Sequence, residues 1–119
     1  MNWNLDKGRP ICPQIYEQLS ALIACGNIKP GERLLSVREV ALEAGVNPNT
    51  VQKSFEQLEA AGLIYSVRGS GWFVGDDIDS AKKSVSDMAQ KRTREYFGSM
   101  KNLGFDAEAV KNYVREWNQ

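Results

Sequence analysis

The apolar residues in the first sixty positions recur at intervals of three and four, which predicts helices rather than strands. From Gln14 onward, an amphipathic helix is predicted by the apolar positions Ile15, Leu19, Leu22 and Ile23. The segment "GNIKPGERL" then interrupts the pattern with glycine and proline, which predicts a loop carrying a short strand at 33–35. The stretch before the first helix, "MNWNLDKGRPICP", is polar and contains two prolines, so we expect an extended lead-in.

Two further helices follow, separated by a short turn. In "LLSVREVALEAG", Ser36 and Glu39 have the spacing of a capping box, in which each side chain bonds to the other residue's backbone N–H. The helix that they begin should end at Gly45. Asn47 is expected to cap the next helix, with Pro48 at the first helical position, where the missing N–H has no partner to lose. Two helices joined by a turn of about three residues form a helix-turn-helix.

A β-hairpin is predicted directly after this motif. "LIYSV" and "WFV" are runs of strand-favouring residues, and "RGSG" between them has the composition of a tight turn. Trp72 is expected to pack on the first helix. A helix, a helix-turn-helix and a hairpin together predict a mostly α fold with a small β-hairpin, the winged helix-turn-helix, over residues 1–75.

Residues 76–119 are predicted to form a two-helix tail. "DDIDS" supplies acidic residues at a helix start, the helix is expected to reach about Phe97, and "GSMKNLGF" should break it before Asp106 caps a second helix. The apolar positions of the two helices include Ile78, Val85, Met88, Val110, Tyr113, Val114 and Trp117. Two helices cannot enclose a core, so we expect these residues to pack against the same tail of a second subunit, with Trp117 sealing the tail. The alternative is that both helices fold back on the winged domain.

Composition and charge narrow the functional classes. The 119 residues carry 15 Lys+Arg against 15 Asp+Glu, which argues against indiscriminate polyanion binding but leaves room for a localised DNA-binding face. The chain has no histidine and no CxxC, and Cys12 and Cys25 flank a helix that would hold them about 20 Å apart, so we expect reduced thiols, no metal and no cofactor. Nothing assembles a catalytic constellation, and no apolar run suits a membrane span or a signal peptide, so we expect a cytoplasmic protein that is not an enzyme.

The segment "IKPGERLLSVREVALEAGVNPNTVQKSFEQLEAAGLIYSVRGSGWFV" resembles the DNA-binding domain of the GntR family of bacterial transcription regulators. The resemblance extends over about residues 11–75, and the short two-helix tail is similar to that of the YtrA-type subfamily. It implies a homodimeric, sequence-specific regulator, a repressor by preference, on a pseudo-palindromic double-stranded DNA operator. Leu35 replaces the family's usual proline before the cap. Pro48 and Gln52 stand where many members carry arginines in the recognition helix.

Base contacts are expected from the starts of the two helices. Arg38 matches the family arginine that enters the groove, and an arginine pairs bidentately with guanine. In the third helix an inward apolar stripe leaves Asn49, Thr50 and Gln52 outward. Asn49 or Gln52 would then read adenine through a side-chain amide, while Thr50 could bond to a base or pack on a thymine methyl. For each position the alternative is an ordinary solvated surface residue.

Contacts to the DNA backbone and to the minor groove are expected from a second group. Ser36 and Lys53 are candidate phosphate ligands, together with the helix N-termini. Asn47 is expected to use its side chain on the cap and to contribute at most a phosphate contact. Arg68 and Gly69, at the tip of the wing, would suit a narrow A·T-rich minor groove. Lys7 and Arg9 in the lead-in could add weaker backbone contacts.

Other interpretations remain open on the sequence alone. A winged helix can serve as a protein–protein assembly module, and the same domain could bind RNA. A small-molecule effector is not named by any residue. The tail looks too thin to enclose a pocket of roughly 300 Å³ within one subunit, although a ligand could bind at the dimer interface.

Overall fold

The computed structural model describes residues 1–118, which form five α-helices and one two-stranded antiparallel sheet. In chain order the elements are α1 (Ile11–Ala24), α2 (Val37–Ala44), α3 (Pro48–Ala60), β1 (Ile64–Val67), β2 (Gly71–Val74), α4 (Ile78–Asn102) and α5 (Ala107–Arg115). The predicted fold class, mostly helical with a small hairpin, is therefore confirmed. None of these helices has the length and hydropathy needed to cross a membrane.

The chain divides into two compact units, and the boundary lies within α4. The N-terminal unit comprises Met1–Val85 and the C-terminal unit comprises Ser86–Gln119. The functional division proposed after residue 75 stays a prediction.

The core of the N-terminal unit is built from α1, α3 and the hairpin. Its fully covered apolar side chains include Ile15, Leu19, Ile23, Val51, Phe55, Leu58, Leu63 and Val74. Burial of a side chain of this size contributes about 1.5–3 kcal/mol. Ser54 joins the two helices, because its buried hydroxyl donates to the Cys12 carbonyl at 2.9 Å. The Trp72 ring meets Phe55 of α3 edge to face at 5.4 Å, so its aromatic contact lies on the third helix rather than on the first.

Two predicted helix boundaries are wrong. Helix α1 begins at Ile11, three residues before Gln14, and includes Pro13 in its first turn, where backbone N–H groups have no intrahelical partner in any case. Helix α4 continues through Gly98 to Asn102, five residues past Phe97. The residue that follows the helix end with a left-handed backbone is Gly104, at φ +97°, so Gly104 rather than Gly98 marks the end of the helix.

In the C-terminal unit, α5 begins at the predicted cap. The Asp106 side chain accepts a hydrogen bond from the Ala109 N–H at 2.9 Å, and the Phe105 and Tyr113 rings meet edge to face at 5.3 Å. Val110 is fully buried. Trp117 lies beyond the end of α5 and is 72% exposed, so it does not seal the tail within one chain.

Candidate nucleic-acid interface

The turn between α2 and α3 is fixed by local backbone bonds. Gly45 adopts a left-handed conformation at φ +67°, and the next N–H, that of Val46, bonds to the Ala41 carbonyl at 3.0 Å. Asn47 then caps α3, since its side-chain oxygen accepts from the Asn49 N–H at 2.8 Å. The chain therefore enters α3 two residues after leaving α2, which brings the two helices into a helix-turn-helix.

The capping box predicted for α2 is present. The Ser36 hydroxyl accepts from the Glu39 N–H at 3.1 Å, and the Glu39 carboxylate accepts from the Ser36 N–H at 3.0 Å. The bond from the Ser36 backbone, with smaller effects of the Ser36 side chain and the Arg33 charge, lowers the pKa of Glu39 below its ordinary value. This exposed box defines where the first turn of α2 begins, and Arg38 lies in that turn.

Arg38 is exposed, and within residues 1–118 its guanidinium makes no hydrogen bond or ion pair. The same holds for the Asn49 amide and the Lys53 ammonium in the described part of the chain. Helix α3 turns these two side chains outward because Val51 and Phe55 face the core. The three groups are therefore available to a ligand: a planar bidentate donor, an amide and a cation.

The other candidates on α3 are less accessible. The Gln52 amide donates to the Glu56 carboxylate at 3.2 Å, one helical turn away, so this side chain must exchange a partner before it can bind a base. Thr50 is half-buried, and the Asn47 side chain serves the cap. The structure thus distinguishes Asn49 from Gln52 as adenine readers, which the sequence alone leaves equal.

The wing extends from the core as an exposed turn at 68–70. The Ser70 N–H closes the turn on the Val67 carbonyl at 2.9 Å, and Gly69 has φ +81°, a conformation that favours glycine. Arg68 is exposed, with no ionic or hydrogen-bonding partner among the described residues. The tip therefore presents one cation beside a backbone that no side chain shields.

Segment 31–34 brings the wing close to the start of α2. The Leu34 N–H donates to the Trp72 carbonyl at 2.8 Å, and Arg33 forms a β-bridge with Phe73. Ser36 follows Leu34 by only two residues, so the α2 cap and β2 belong to one hydrogen-bonded assembly. The strand predicted at 33–35 is confirmed as a bridge at Arg33.

Sequence reasoning overlooked Arg33 and underrated the lead-in. Arg33 is exposed beside the wing, and the signal for it was the alternation of an outward arginine with an inward Leu34. In the lead-in, the Lys7 ammonium donates to the Gly45 carbonyl at 2.8 Å, at the turn between α2 and α3. Arg9 pairs with Asp6, at 3.2 Å between Nε and Oδ2.

The residues predicted to form the dimer interface fall into two groups. Ile78 packs against the core of the N-terminal unit, and Val110 is fully buried, so the apolar surface of both is already covered within one chain. Val85 and Met88 are half-buried. Tyr113, Val114 and Trp117 are 52%, 55% and 72% exposed. The exposed group of three is the part that a partner could cover.

A cleft in the C-terminal unit has a volume of about 540 Å³, larger than the pocket expected from the sequence. Its lining residues are Arg92, Thr93, Tyr96 and Phe97 on α4 with Lys111, Val114 and Arg115 on α5. The tail therefore has space for a small molecule within a single subunit.

Comparison with known families assigns the fold. The model of the bacterial regulatory proteins of the gntR family matches residues 13–74, which is more than half of the chain and includes the helix-turn-helix and the wing. The chain belongs to the GntR family. The resemblance read from the motifs is thereby confirmed, and this GntR protein is a DNA-binding transcriptional regulator.

Individual relatives agree with this assignment. The HTH-type transcriptional repressor YtrA of Bacillus subtilis is 31% identical over 108 residues, which cover 90% of this chain and 83% of YtrA. The structure of a GntR family transcriptional regulator from Listeria monocytogenes superposes with a TM-score of 0.83 at 32% identity, covering 96% of this chain and all of that one. The DNA-binding domain of AraR in complex with operator ORE1 matches 63% of this chain and 94% of its own, with a TM-score of 0.54 and 31% identity.

Proposed function

We propose that this GntR regulator is a repressor that binds a pseudo-palindromic operator as a homodimer, each subunit placing α2 and α3 against one half-site. The observation that carries the proposal is Arg38, which lies in the first turn of α2, is exposed and has no partner within residues 1–118. A buried or ion-paired arginine would be structural, whereas an exposed one without a partner at the start of a helix-turn-helix is placed to read DNA.

The base contacts are assigned from accessibility. Arg38 pairs with guanine through its two terminal N–H groups, and Asn49 pairs with adenine through its amide. Thr50 contributes a hydroxyl or methyl contact from its half-buried position. Gln52 joins only after leaving Glu56, so it contributes less to discrimination than Asn49.

The backbone contacts surround these base contacts. Ser36 and Lys53 bind phosphates, as does the capped start of α3 at Asn47. Arg68 and Gly69 approach the minor groove, where a guanidinium is attracted to the negative potential of narrow A·T-rich DNA.

The dimer is held by the exposed residues of the C-terminal unit, supported by Val85 and Met88. Tyr113, Val114 and Trp117 expose apolar surface that a monomer would leave in water. A symmetric pair would cover this patch on both subunits. The two half-sites should then lie about one helical turn, 10–10.5 bp, apart.

The remaining assignments follow from the regulatory role. A repressor acts where the bacterial chromosome is, so we place the protein in the cytoplasm, and we assign it no catalytic activity. For a small-molecule effector, the cleft between α4 and α5 offers the space within one subunit.

The test begins with the operator, obtained by sequencing the DNA that the protein retains from sheared genomic DNA. Arg38→Ala should then weaken operator binding about 5- to 150-fold, the loss of one bidentate base contact. Lys82→Ala, which removes an exposed cation on α4, is the matched control and should bind like the parent. Equal affinities of parent and Arg38→Ala would refute the site. Salt-insensitive failure to retain any genomic fragment would favour a protein-assembly module instead.

A further inference from the structure

Arg33 lies on the outer face of an additional strand beside the wing. Segment 31–34 runs alongside β2, with bonds from the Gly31 N–H to the Val74 carbonyl and from the Leu34 N–H to the Trp72 carbonyl, both 2.8 Å long. Because neighbouring residues of a strand point to opposite faces, the burial of Leu34 turns Arg33 outward, on the face shared with its bridge partner Phe73.

The Arg33 side chain reaches along this face toward the wing tip. A Cβ placed on Gly71 would lie 3.3 Å from Nε and 3.6 Å from Nη2 of Arg33, so the guanidinium lies over the Gly71 backbone. Gly71 is the first residue of β2 after the turn at 68–70. The charge of Arg33 is therefore displaced from Phe73 toward the tip that carries Arg68.

On its other side Arg33 is near the first turn of α2. Its positive charge contributes to the lowered pKa of Glu39, whose carboxylate accepts from the Ser36 N–H. Within the described residues the guanidinium makes no hydrogen bond or ion pair of its own. A cation without a direct partner thus lies between the start of α2 and the wing tip.

We propose that Arg33 binds a phosphate of the DNA strand that separates the groove entered by α2 and α3 from the groove approached by the wing. The inference rests on the proposed DNA-binding mode, in which those elements contact adjacent grooves. Adjacent grooves are divided by a sugar–phosphate backbone, so a side chain between the elements meets phosphates rather than bases. A guanidinium is suited to this contact because it can donate two parallel hydrogen bonds to one phosphate.

The experiment measures operator affinity against salt concentration for the parent and Arg33→Gln, on the operator and on unrelated DNA of equal length. The loss of one phosphate contact should reduce the slope of log affinity against log salt by about 0.9, and affinity at 0.1 M salt should fall roughly eightfold on both DNAs. Arg33→Lys, which keeps the charge, should retain the parent's slope. Lys82→Gln is the control for a lost exposed cation and should change neither quantity.

Three outcomes would overturn the inference. Arg33→Gln could show the parent's slope and affinity. It could lose operator binding alone at an unchanged slope, which would make Arg33 a structural residue. It could also fail to unfold cooperatively, while Arg33→Lys, still folded, binds with a reduced slope. A parent protein that binds neither DNA is a different result, since it refutes the proposed function itself.

Discussion

At the scale of single residues, the cap of α2 links protonation to stability. The pKa of Glu39 is lowered chiefly because its carboxylate accepts the Ser36 N–H, so the ionised form is favoured by folding. A group of this kind contributes stability above its ordinary pKa and loses it as the pH falls through the lowered value. The box is thus a pH-dependent part of the helix that carries Arg38.

Glu39→Gln should therefore lower the melting temperature at neutral pH, and the difference from the parent should shrink as the pH falls through the lowered pKa of Glu39. Thermal unfolding of both proteins across the acidic range measures this. Glu116→Gln, which changes a carboxylate in the C-terminal unit, is the control. A difference between Glu39→Gln and the parent that stays constant at every pH would contradict the assignment.

Lys7 is a second residue whose contact can be tested directly. Its ammonium donates to the Gly45 carbonyl at the turn between α2 and α3, and it is solvent-exposed. Lys7→Met keeps the length of the side chain and should cost about 0.5–1 kcal/mol of unfolding free energy, a reduced value for an exposed bond. Lys29→Met, whose ammonium has no partner among the described residues, should cost less. Equal unfolding free energies for the two variants in denaturant titrations would show that the lead-in does not brace the turn.

At the scale of elements, two glycines have opposite roles in helices. Gly98 lies inside α4, where an added Cβ would meet open space, while Gly45 ends α2 in a left-handed conformation. Gly98→Ala should stabilise the protein by about 0.5–1 kcal/mol, because alanine lowers the entropy lost on helix formation. Gly45→Ala should destabilise it by about 1–2 kcal/mol, because a Cβ strains that backbone. Denaturant unfolding with the same sign for both variants would mean that α4 ends near Phe97 after all.

The elements also show which features the sequence could predict. The capping box of α2, the Asn47 cap and the hairpin turn depend on residues within a few positions of one another, so local pattern was sufficient. The lead-in contact from Lys7 to Gly45 spans 38 positions, and the bridge from Arg33 to Phe73 spans 40, so no local pattern reports them. The engagement of Gln52 by Glu56 depends on side-chain rotamers that composition does not determine.

At the scale of the whole molecule, the dimer should depend on the exposed apolar residues of the C-terminal unit. Val114→Asp places a charge in that patch without disturbing a buried side chain, so it should shift the protein from dimer to monomer in sedimentation velocity at micromolar concentration. Leu42→Asp makes the same change at a residue of α2 that is 83% exposed and should leave the dimer intact. A parent that sediments as a monomer would refute the dimer.

The paired reading of two half-sites is the claim that joins these scales, and one titration tests it. The operator is compared with a variant that carries five extra base pairs between its half-sites, which turns one half-site to the opposite face of the duplex. A rigidly paired dimer should lose most of its operator affinity on the five-base-pair insertion and recover much of it on a ten-base-pair insertion. Equal affinity for all three DNAs would contradict the account.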